Sequence, residues 1–331
     1  MSSPGHGGAE LLGRVREALV AYGPAADLDS VRFLAAGEYT YNYRVTIGES
    51  EAVLRVVTGS QMGLTAPDQA LYEAHALELL AATASVPTLI HVEPAEAPIG
   101  YPYLLLGYLR GRPLDYQRDL VGAARCVAAI HRLPASPGHR LQDHSDPVRS
   151  ILDETELLVA PLAGPEWTAV RALRARVART PPTEFAAVRD DLAIINTDLN
   201  SHNFIVDEAR VWLIDWEKAR IGPTLLDVAH FLLPTTTLWR AATAARLTAG
   251  QRETFIRAYL NGRPELDADA YRAALRPAMR LAAARAVAWC AWALAASTRG
   301  ERAIENEETL EKSRLYTSAA FLDELAEELW G

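Results

Sequence analysis

A chain of 331 residues, half of them apolar, is long for one core and is expected to form two lobes. Its formal net charge of −9 argues against a nucleic-acid partner, whose binding draws on basic patches against phosphates, and suits neutral or cationic small molecules better. Two distant cysteines, Cys126 and Cys290, sit in apolar helical patterns and read as core thiols, which leaves no disulfide framework and no thiolate metal cluster.

In chain order, "MSSPGHGGAE" has neither a basic start nor an apolar core, so no signal peptide is expected and the protein is expected in the cytoplasm. "ELLGRVREALVAYG" has helical spacing and ends at Gly23. Strand-like runs follow in "VRFLAA", "YNYRVTI" and "EAVLRVV", the last two joined by a hairpin signal at Gly48-Glu49-Ser50-Glu51. "APDQALYEAHALELLAAT" is the next helix, with Pro67 near its start. Another strand pair, "PTLIHVE" and "YPYLLLGYL", is punctuated by Pro98 and Gly100. After "RGRPL" the chain is expected to be mainly helical, broken by a loop-rich stretch over 134–147 and by one hairpin candidate, "NFIVDEARVWLID". The apolar run "AVAWCAWALAA" is expected to be too short to cross a bilayer, so no membrane partner is expected. The expected fold class is α+β with two lobes. Residues 1–105 form a small antiparallel sheet with helix, 106–110 a hinge, and 111–331 a larger helical lobe.

The chemistry concentrates in "NTDLNSHNFIV". Asp198 is followed by Asn203, then by the strand "FIV", a turn over 207–210, and "VWLI", which stops at Asp215. A two-stranded ribbon of this kind is expected to gather Asp198, Asn203 and Asp215 at one end. An amide and a carboxylate are hard oxygen ligands suited to Mg²⁺ bridging nucleotide phosphates, while Asp198 is free to orient and deprotonate a hydroxyl. Any one of the three alone would read as a turn residue; the set at these spacings points to phosphoryl transfer.

The segment "TDLNSHNFIVDEARVWLIDWEKARIGPTLLDVAHFL" resembles the catalytic segment of the aminoglycoside phosphotransferase/choline kinase-like family, which has the protein-kinase-like fold and phosphorylates small-molecule hydroxyls. The resemblance implies that Asp198 is the base, that Asn203 and Asp215 hold the metal, and that Asp227 props the loop from behind. A helix N-cap near Leu225 is the other reading of Asp227. Two positions depart from the family pattern: Asn196 replaces a histidine and Thr197 a glycine. Asparagine both donates and accepts hydrogen bonds, so Asn196 is expected to brace the loop in the histidine's place.

Such an enzyme needs a strand-borne cation on the nucleotide phosphates and a helical carboxylate to hold it. The two lysines, Lys218 and Lys312, both lie downstream of the loop, which leaves Arg55, on the same strand face as Val53 and Val57. Glu73 lies in an apolar stripe with Ala70, Ala74, Leu77, Leu80 and Ala81 and needs a buried partner, whereas Glu78 falls off the stripe and is expected to be solvated. From the residues alone, an edge arginine and a boundary glutamate stay equally open; the resemblance favours an Arg55–Glu73 pair. It also assigns "LAAGEYTYNYRV" to the nucleotide-covering loop, with Gly37 at its turn and Thr40 and Asn42 as alternative phosphate-side contacts. Leu106 would lie behind the base, Gly107, Tyr108 and Leu109 would offer hinge backbone, and the choice between ATP and GTP stays open.

The acceptor side is placed between the hairpin mouth and the C-terminal helices. Glu301, Glu305, Glu307 and Glu308 would draw in a polycation or form a solvated helix face, the favoured reading for a charge run. Trp289 and Trp292 line a pocket or, preferentially, pack in the core; His202 and Glu217 are candidates by proximity alone. His131 reads as a helix-end residue. The expected protein is a monomeric or homodimeric, Mg²⁺-dependent kinase using ATP or GTP on a small-molecule hydroxyl. The first acceptor class is an antibiotic (aminoglycoside, peptide or nucleoside type), in resistance or self-protection. A metabolite kinase and a nucleotide-binding pseudokinase are the alternatives, the latter disfavoured by the intact Asp198/Asn203/Asp215 set.

Overall fold

Period-two alternation in the first third builds one five-stranded antiparallel sheet. Helix α1 (His6–Val20) precedes β1 (Ala26–Ala36), β2 (Thr40–Ile47) and β3 (Ser50–Val57); α2 (Ala66–Leu80) leads to β4 (Leu89–Glu93) and β5 (Tyr103–Gly107), and the strand order is β1-β2-β3-β5-β4. The computed structural model describes residues 6–21, 23–96, 98–134, 139–179, 185, 188, 190–300 and 306–331. The β2–β3 turn is Gly48-Glu49, with Gly48 at φ +63°, a conformation that costs glycine nothing.

Register decides which side chains share a face. Arg55 lies opposite Asn42 on β2 and Leu104 on β5, and Val53 lies opposite Arg44 and Leu106. Directly opposed residues project from the same side, so Thr40, Asn42, Val53, Arg55 and Leu106 line one face. The other face carries Tyr43, Val45, Ala52, Leu54, Val56, Tyr103 and Leu105, packed against Leu11, Val15, Ala18 and Leu19 of α1. Helix α2 begins at an N-cap, Thr65, whose side chain accepts from Asp68 N–H, and buries Ala70, Glu73, Ala74, Leu77 and Leu80. Ala81, expected in this stripe, lies just past the helix end and is exposed, because the apolar spacing outruns the hydrogen-bonded turns. Glu78 is exposed, as its position off the stripe implies.

The described chain divides into two units: residues up to Gly111 together with Trp212–Ala219, and Arg112–Val211 together with Arg220–Gly331. The inserted piece is held in the first unit by Leu213 N–H donating to Ser85 O (2.9 Å), Gln69 Nε2 to Glu217 O (2.8 Å) and Tyr72 Oη to Ala219 O (2.6 Å).

The second unit runs through β6 (Arg112–Pro113), α3 (Leu120–His131), β7 (Gln142–Asp143), α4 (Pro147–Val159), α5 (Thr168–Val177), β8 (Leu192–Ile195) and β9 (Phe204–Val206). The chain passes into the first unit within β10 (Val211–Leu213) and returns for β11 (Arg220–Pro223), α6 (Leu225–Leu232), α7 (Pro234–Thr237), α8 (Ala249–Asn261), α9 (Ala268–Thr298), α10 (Glu307–Thr317) and α11 (Ala319–Trp330). The expected turn forms: Asp207 N–H donates to Arg210 O, and Asp207 Oδ1 accepts from Ala209 and Arg210 N–H.

Two expectations need correction. Besides the hairpin strands, this unit contains a small sheet in the order β7-β11-β8, whose strands are too short to display an alternation. The apolar run 286–296 belongs to a 31-residue helix, α9, which by length and composition suffices to cross a bilayer; its most apolar window is 61% buried inside the protein, and α4, α5, α6 and α10 pack on it, the pattern of a core helix. Cys126 and Cys290 are free and buried, and burial pushes the Cys290 thiol up to about 12, away from reactivity.

Candidate active site

The candidate residues fall into two groups, one in each unit. In the first, Arg55 projects from the central strand β3 and is almost wholly buried. Its Nε donates to Glu73 Oε2 (2.9 Å), and its Nη2 donates to Asp215 Oδ1 (2.6 Å) and Glu217 Oε2 (3.1 Å). Burial opposes the guanidinium's charge, but Glu73, Asp215 and Glu217 outweigh it and hold its pKa above the ordinary value. Burial likewise raises the Glu73 carboxyl against the pull of Arg55. The Glu217 carboxyl is pushed up to about 8 by burial and then by Asp215. Three carboxyl groups thus crowd one guanidinium, and burial favours the neutral form of Glu217. Asp215 is the accessible member, its side chain 26% exposed against 2% for Glu73 and 13% for Glu217. Its backbone sits at φ +65°, a region that Asp tolerates better than most residues.

Glu217, placed on the acceptor side by proximity, instead binds Arg55. Trp216 is fully buried, with Nε1 donating to Leu213 O (2.9 Å), and turning it inward sends the flanking Asp215 and Glu217 to the same guanidinium.

The remaining nucleotide-side expectations are sorted by the same sheet. Gly37 closes the β1–β2 turn through its N–H to Thr40 O (2.8 Å), and a Cβ there would lie 2.9 Å from Thr40 Oγ1, so close approach demands glycine. Thr40 is buried under this turn, whereas Asn42 stays half-buried on the Arg55 face with Nδ2 3.5 Å from Ala35 O. At the expected hinge, Gly107 N–H already donates to Thr88 O (2.8 Å) and Tyr108 N–H to Glu51 O (3.2 Å). Those two amides are therefore already paired, and Leu109 is the half-buried residue beyond the strand end.

In the second unit, β8 ends at Ile195 and the loop is gripped amide by amide. Asn196 and Thr197 N–H donate to Asp227 Oδ2 and Oδ1 (2.8 Å each), Asp198 N–H to Asn196 Oδ1 (3.0 Å), and Leu199 N–H to His230 Nδ1 (3.2 Å). The carbonyls are held too: Arg285 Nη1 donates to Thr197 O (3.2 Å) and Asn203 Nδ2 to Asp198 O (2.8 Å). Asn200 Nδ2 donates to Asp198 Oδ1 (3.0 Å). Asp198 is the single residue of 196–201 that is not buried. Rigid backbone with one reachable carboxylate is the arrangement expected of a group that must aim a nucleophile.

Asp227 lies in the first turn of α6, after Thr224 at the N-cap position, so it is not the helix cap; it is fully buried and spends both oxygens on the loop. Asn196 braces Asp198 from within, as its chemistry allows. His131 does end its helix, but it also connects Asp227 to Tyr259, with Nε2 3.3 Å from Asp227 Oδ2 and Nδ1 2.9 Å from Tyr259 Oη. A buried histidine at the end of "AAIH" is the only sequence signal of that link. Thr197 carries φ +68°, a left-handed conformation in which a β-branched residue is strained by roughly 1–3 kcal/mol. Thr197→Gly should therefore be neutral or stabilising by up to about 1 kcal/mol in urea unfolding, strain relief exceeding the added entropy of the unfolded chain. A clear loss of stability would show the conformation to be unstrained.

Arg285 is itself fixed by Glu154 (Nε to Oε2, 3.0 Å), which also receives Arg220 Nη1 (3.0 Å), and Arg220 meets His144. Burial alone would raise the Glu154 carboxyl, but Arg285 and then Arg220 hold it at about 2; burial, and then Arg220, push the His144 imidazole down to about 4. Both folded values are depressed, so the unfolded chain binds the extra protons on acidification. Stability should hold above the ordinary histidine value and fall as pH drops through about 4 towards about 2. Melting temperature against pH is the check, and His144→Phe should flatten the upper part of that decline.

Of the acceptor-side candidates, His202 and Glu308 both interact with Arg240, and Trp289 packs on the neighbouring Trp239. His202 is half-buried, its N–H donates to Asn200 Oδ1 (3.0 Å), and burial and then Arg240 lower its imidazole pKa. Trp289 and Trp292 are half-buried on α9, Trp289 edge-on to Trp239 at 6.0 Å, so neither reading of them, pocket or core, is complete. Glu307 pairs with Arg314, and Glu308 with Arg240 and Ala241 N–H, at the start of α10. Glu301 and Glu305 lie outside the described residues.

Among the described residues, no group of three His, Cys, Asp or Glu side chains could hold a metal ion unaided. Mg²⁺ takes one or two protein oxygens and fills its remaining positions with phosphate and water, so each unit is asked for only a single donor. In the second unit Asn203 Nδ2 faces a carbonyl, an acceptor only, so its amide oxygen is the atom left for a cation; in the first, Asp215 is the most exposed carboxylate on Arg55.

A model of the phosphotransferase enzyme family matches residues 30–274. Among similar solved structures are choline kinase from Cryptosporidium parvum Iowa II, 11% identical over 97% of this chain and 96% of that one (TM-score 0.62), and macrolide 2′-phosphotransferase from Brachybacterium faecium, 16% identical over 94% and 98% (TM-score 0.60). A third is a thermostable mutant of an aminoglycoside phosphotransferase, APH(4)-Ia, in ternary complex with ADP and hygromycin B, 17% identical over 96% and 99% (TM-score 0.61). No curated protein sequence matches the chain.

Proposed function

The chain belongs to the phosphotransferase enzyme family and is a small-molecule kinase of protein-kinase-like fold; from that premise we propose that it moves the γ-phosphoryl group of ATP or GTP to a hydroxyl of a small-molecule antibiotic. The observation that carries this reading is the loop over 196–199, whose four amides are all tied down while the Asp198 carboxylate stays reachable.

In the proposed mechanism Asp198 accepts a hydrogen bond from the acceptor hydroxyl, aims its oxygen in line with the transferring group and takes its proton as the new O–P bond forms. Arg55, oriented by Glu73, positions the nucleotide phosphates. Asn203 and Asp215 would hold Mg²⁺, which when bound supplies neutralisation of the phosphate charge. Catalysis of this kind is mostly positioning and electrostatics, which is why the loop's hydrogen bonds matter as much as its reacting group.

A net charge of −9 supports an acceptor carrying positive charge. The likeness to a choline kinase favours a second reading, a cationic amino alcohol of metabolism. The test is ADP or GDP formation with Mg²⁺ and each triphosphate over a panel of hygromycin B, spectinomycin, a macrolide, choline and ethanolamine. Turnover with an antibiotic and none with the amino alcohols is expected. The reverse preference selects the metabolite kinase. Tight nucleotide binding without turnover on any alcohol or on water would sink both readings and leave a pseudokinase.

A further inference from the structure

The segment 196–199 presents four successive peptide N–H groups in a largely buried loop, and three side chains accept them. Two acceptors come from one face of α6. Asp227 takes the first two amides and His230, one helical turn later, takes the fourth; Asn196 fills the third from inside the loop. We propose that His230 is a positioning residue for phosphoryl transfer, fixing Leu199 and thereby the backbone that aims Asp198. The inference rests on the reading of Asp198 as the group that orients the acceptor.

The chemistry of the contact fixes the histidine's form. A peptide N–H only donates, so His230 Nδ1 must be bare to accept it, which puts the proton of a neutral ring on Nε2; Thr236 Oγ1 lies 3.3 Å from Nδ1 and 3.4 Å from Nε2. Leu199 is fully buried, so its N–H has no solvent alternative. On the other side of Asp198 the backbone is held by Asp227 and by Arg285 on Thr197. His230 supplies the matching restraint on the C-terminal side. Asn203 Nδ2 holds the carbonyl of that same peptide plane at Asp198 O (2.8 Å), so without His230 the plane keeps one restraint of two and can pivot about it; an ångström of drift is enough to degrade an in-line reaction. The loop carries asparagine, not histidine, two residues before Asp198, so the imidazole that steadies it comes from a helix 31 residues downstream of Leu199.

The test compares His230→Phe, which keeps ring volume and removes the acceptor, with His230→Asn, which returns an acceptor oxygen near the position of Nδ1. The assay is Mg-ATP turnover by the full chain, with the alcohol accepted in the panel or with water where none is. His230→Phe should lower kcat by about 10- to 100-fold and leave the KM for ATP unchanged, and amide exchange over 196–199 should accelerate. His230→Asn should recover most of both. Should the Phe variant fold poorly, His230→Ala with added imidazole replaces it, and imidazole should raise kcat. Parental kcat in a folded His230→Phe overturns the proposal. So does a loss that the Asn variant or imidazole fails to repair, or one expressed in the KM for ATP. Asp198→Asn is run alongside. If that variant turns over normally, the reading of the loop has failed; if it is dead while His230→Phe is normal, only the His230 inference has failed.

Discussion

Replacing Asp198 with asparagine is expected to reduce turnover by roughly 10²- to 10⁴-fold while the nucleotide still binds. The substitution keeps the side chain's shape and its contact with Asn200 Nδ2, and the backbone on either side stays anchored by Asn196, His230 and Asn203. What disappears is a negative oxygen able to take a proton. The cluster proposed to meet the phosphates is built on Arg55 in the other unit, so the KM or Kd for ATP should hardly change. Parallel measurements of kcat, ATP affinity and melting temperature decide the matter. Sustained turnover would remove Asp198 from the mechanism, and a collapse in melting temperature would make it a structural residue.

The largest effect on stability is expected from Asp227→Ala. The carboxylate is fully buried and accepts two buried amides at 2.8 Å. Removing it strands both amide donors, at about 1–3 kcal/mol each or roughly 2–6 kcal/mol for the two, and it also takes a partner from His131. Asp227→Asn should fall between, because one oxygen still accepts while the new amide confronts a peptide N–H with another donor. Turnover should fall in the same order, since Thr197 needs both of its restraints to stay left-handed. Denaturant midpoints of the two variants give the readout; a cost near zero for the Ala variant would show that water replaces the carboxylate.

The parts of this arrangement written in the sequence are those with local signatures. Alternation along "EAVLRVV" and helical spacing around Glu73 place Arg55 and Glu73 on facing surfaces, and they meet at 2.9 Å. The Asp207–Arg210 turn forms where its residues suggest. What stayed hidden depends on partners far apart in the chain. The grip on the loop comes from residues 30 to 88 positions away, on Asp227, His230 and Arg285, and no spacing rule connects them. Glu217 looked like a neighbour of the acceptor only because nothing local says that Trp216 turns inward. Strands β8 and β11 are too short to reveal a period, and α9 was concealed by arginines and by Pro277 inside it. The pairing of the Gly107 and Tyr108 amides was hidden for another reason: backbone groups leave no trace in side-chain identity, and here Thr88 O and Glu51 O accept from them.

That Trp212–Ala219 belongs to the first unit has a consequence for how the protein is made. The sheet can assemble once Gly107 has left the ribosome, but Arg55 then has Glu73 as its sole partner in the cluster. Asp215 is 160 residues further along the chain and Glu217 is 162. Counted from Gly107, at synthesis rates of about 5–20 residues per second, those carboxylates arrive roughly 5–22 s later. During that interval the nascent first unit is an incomplete fold, with Arg55 lacking two of its three partners and no Trp216 in its core. Its completion waits on nearly the whole of Arg112–Val211 being threaded out in between.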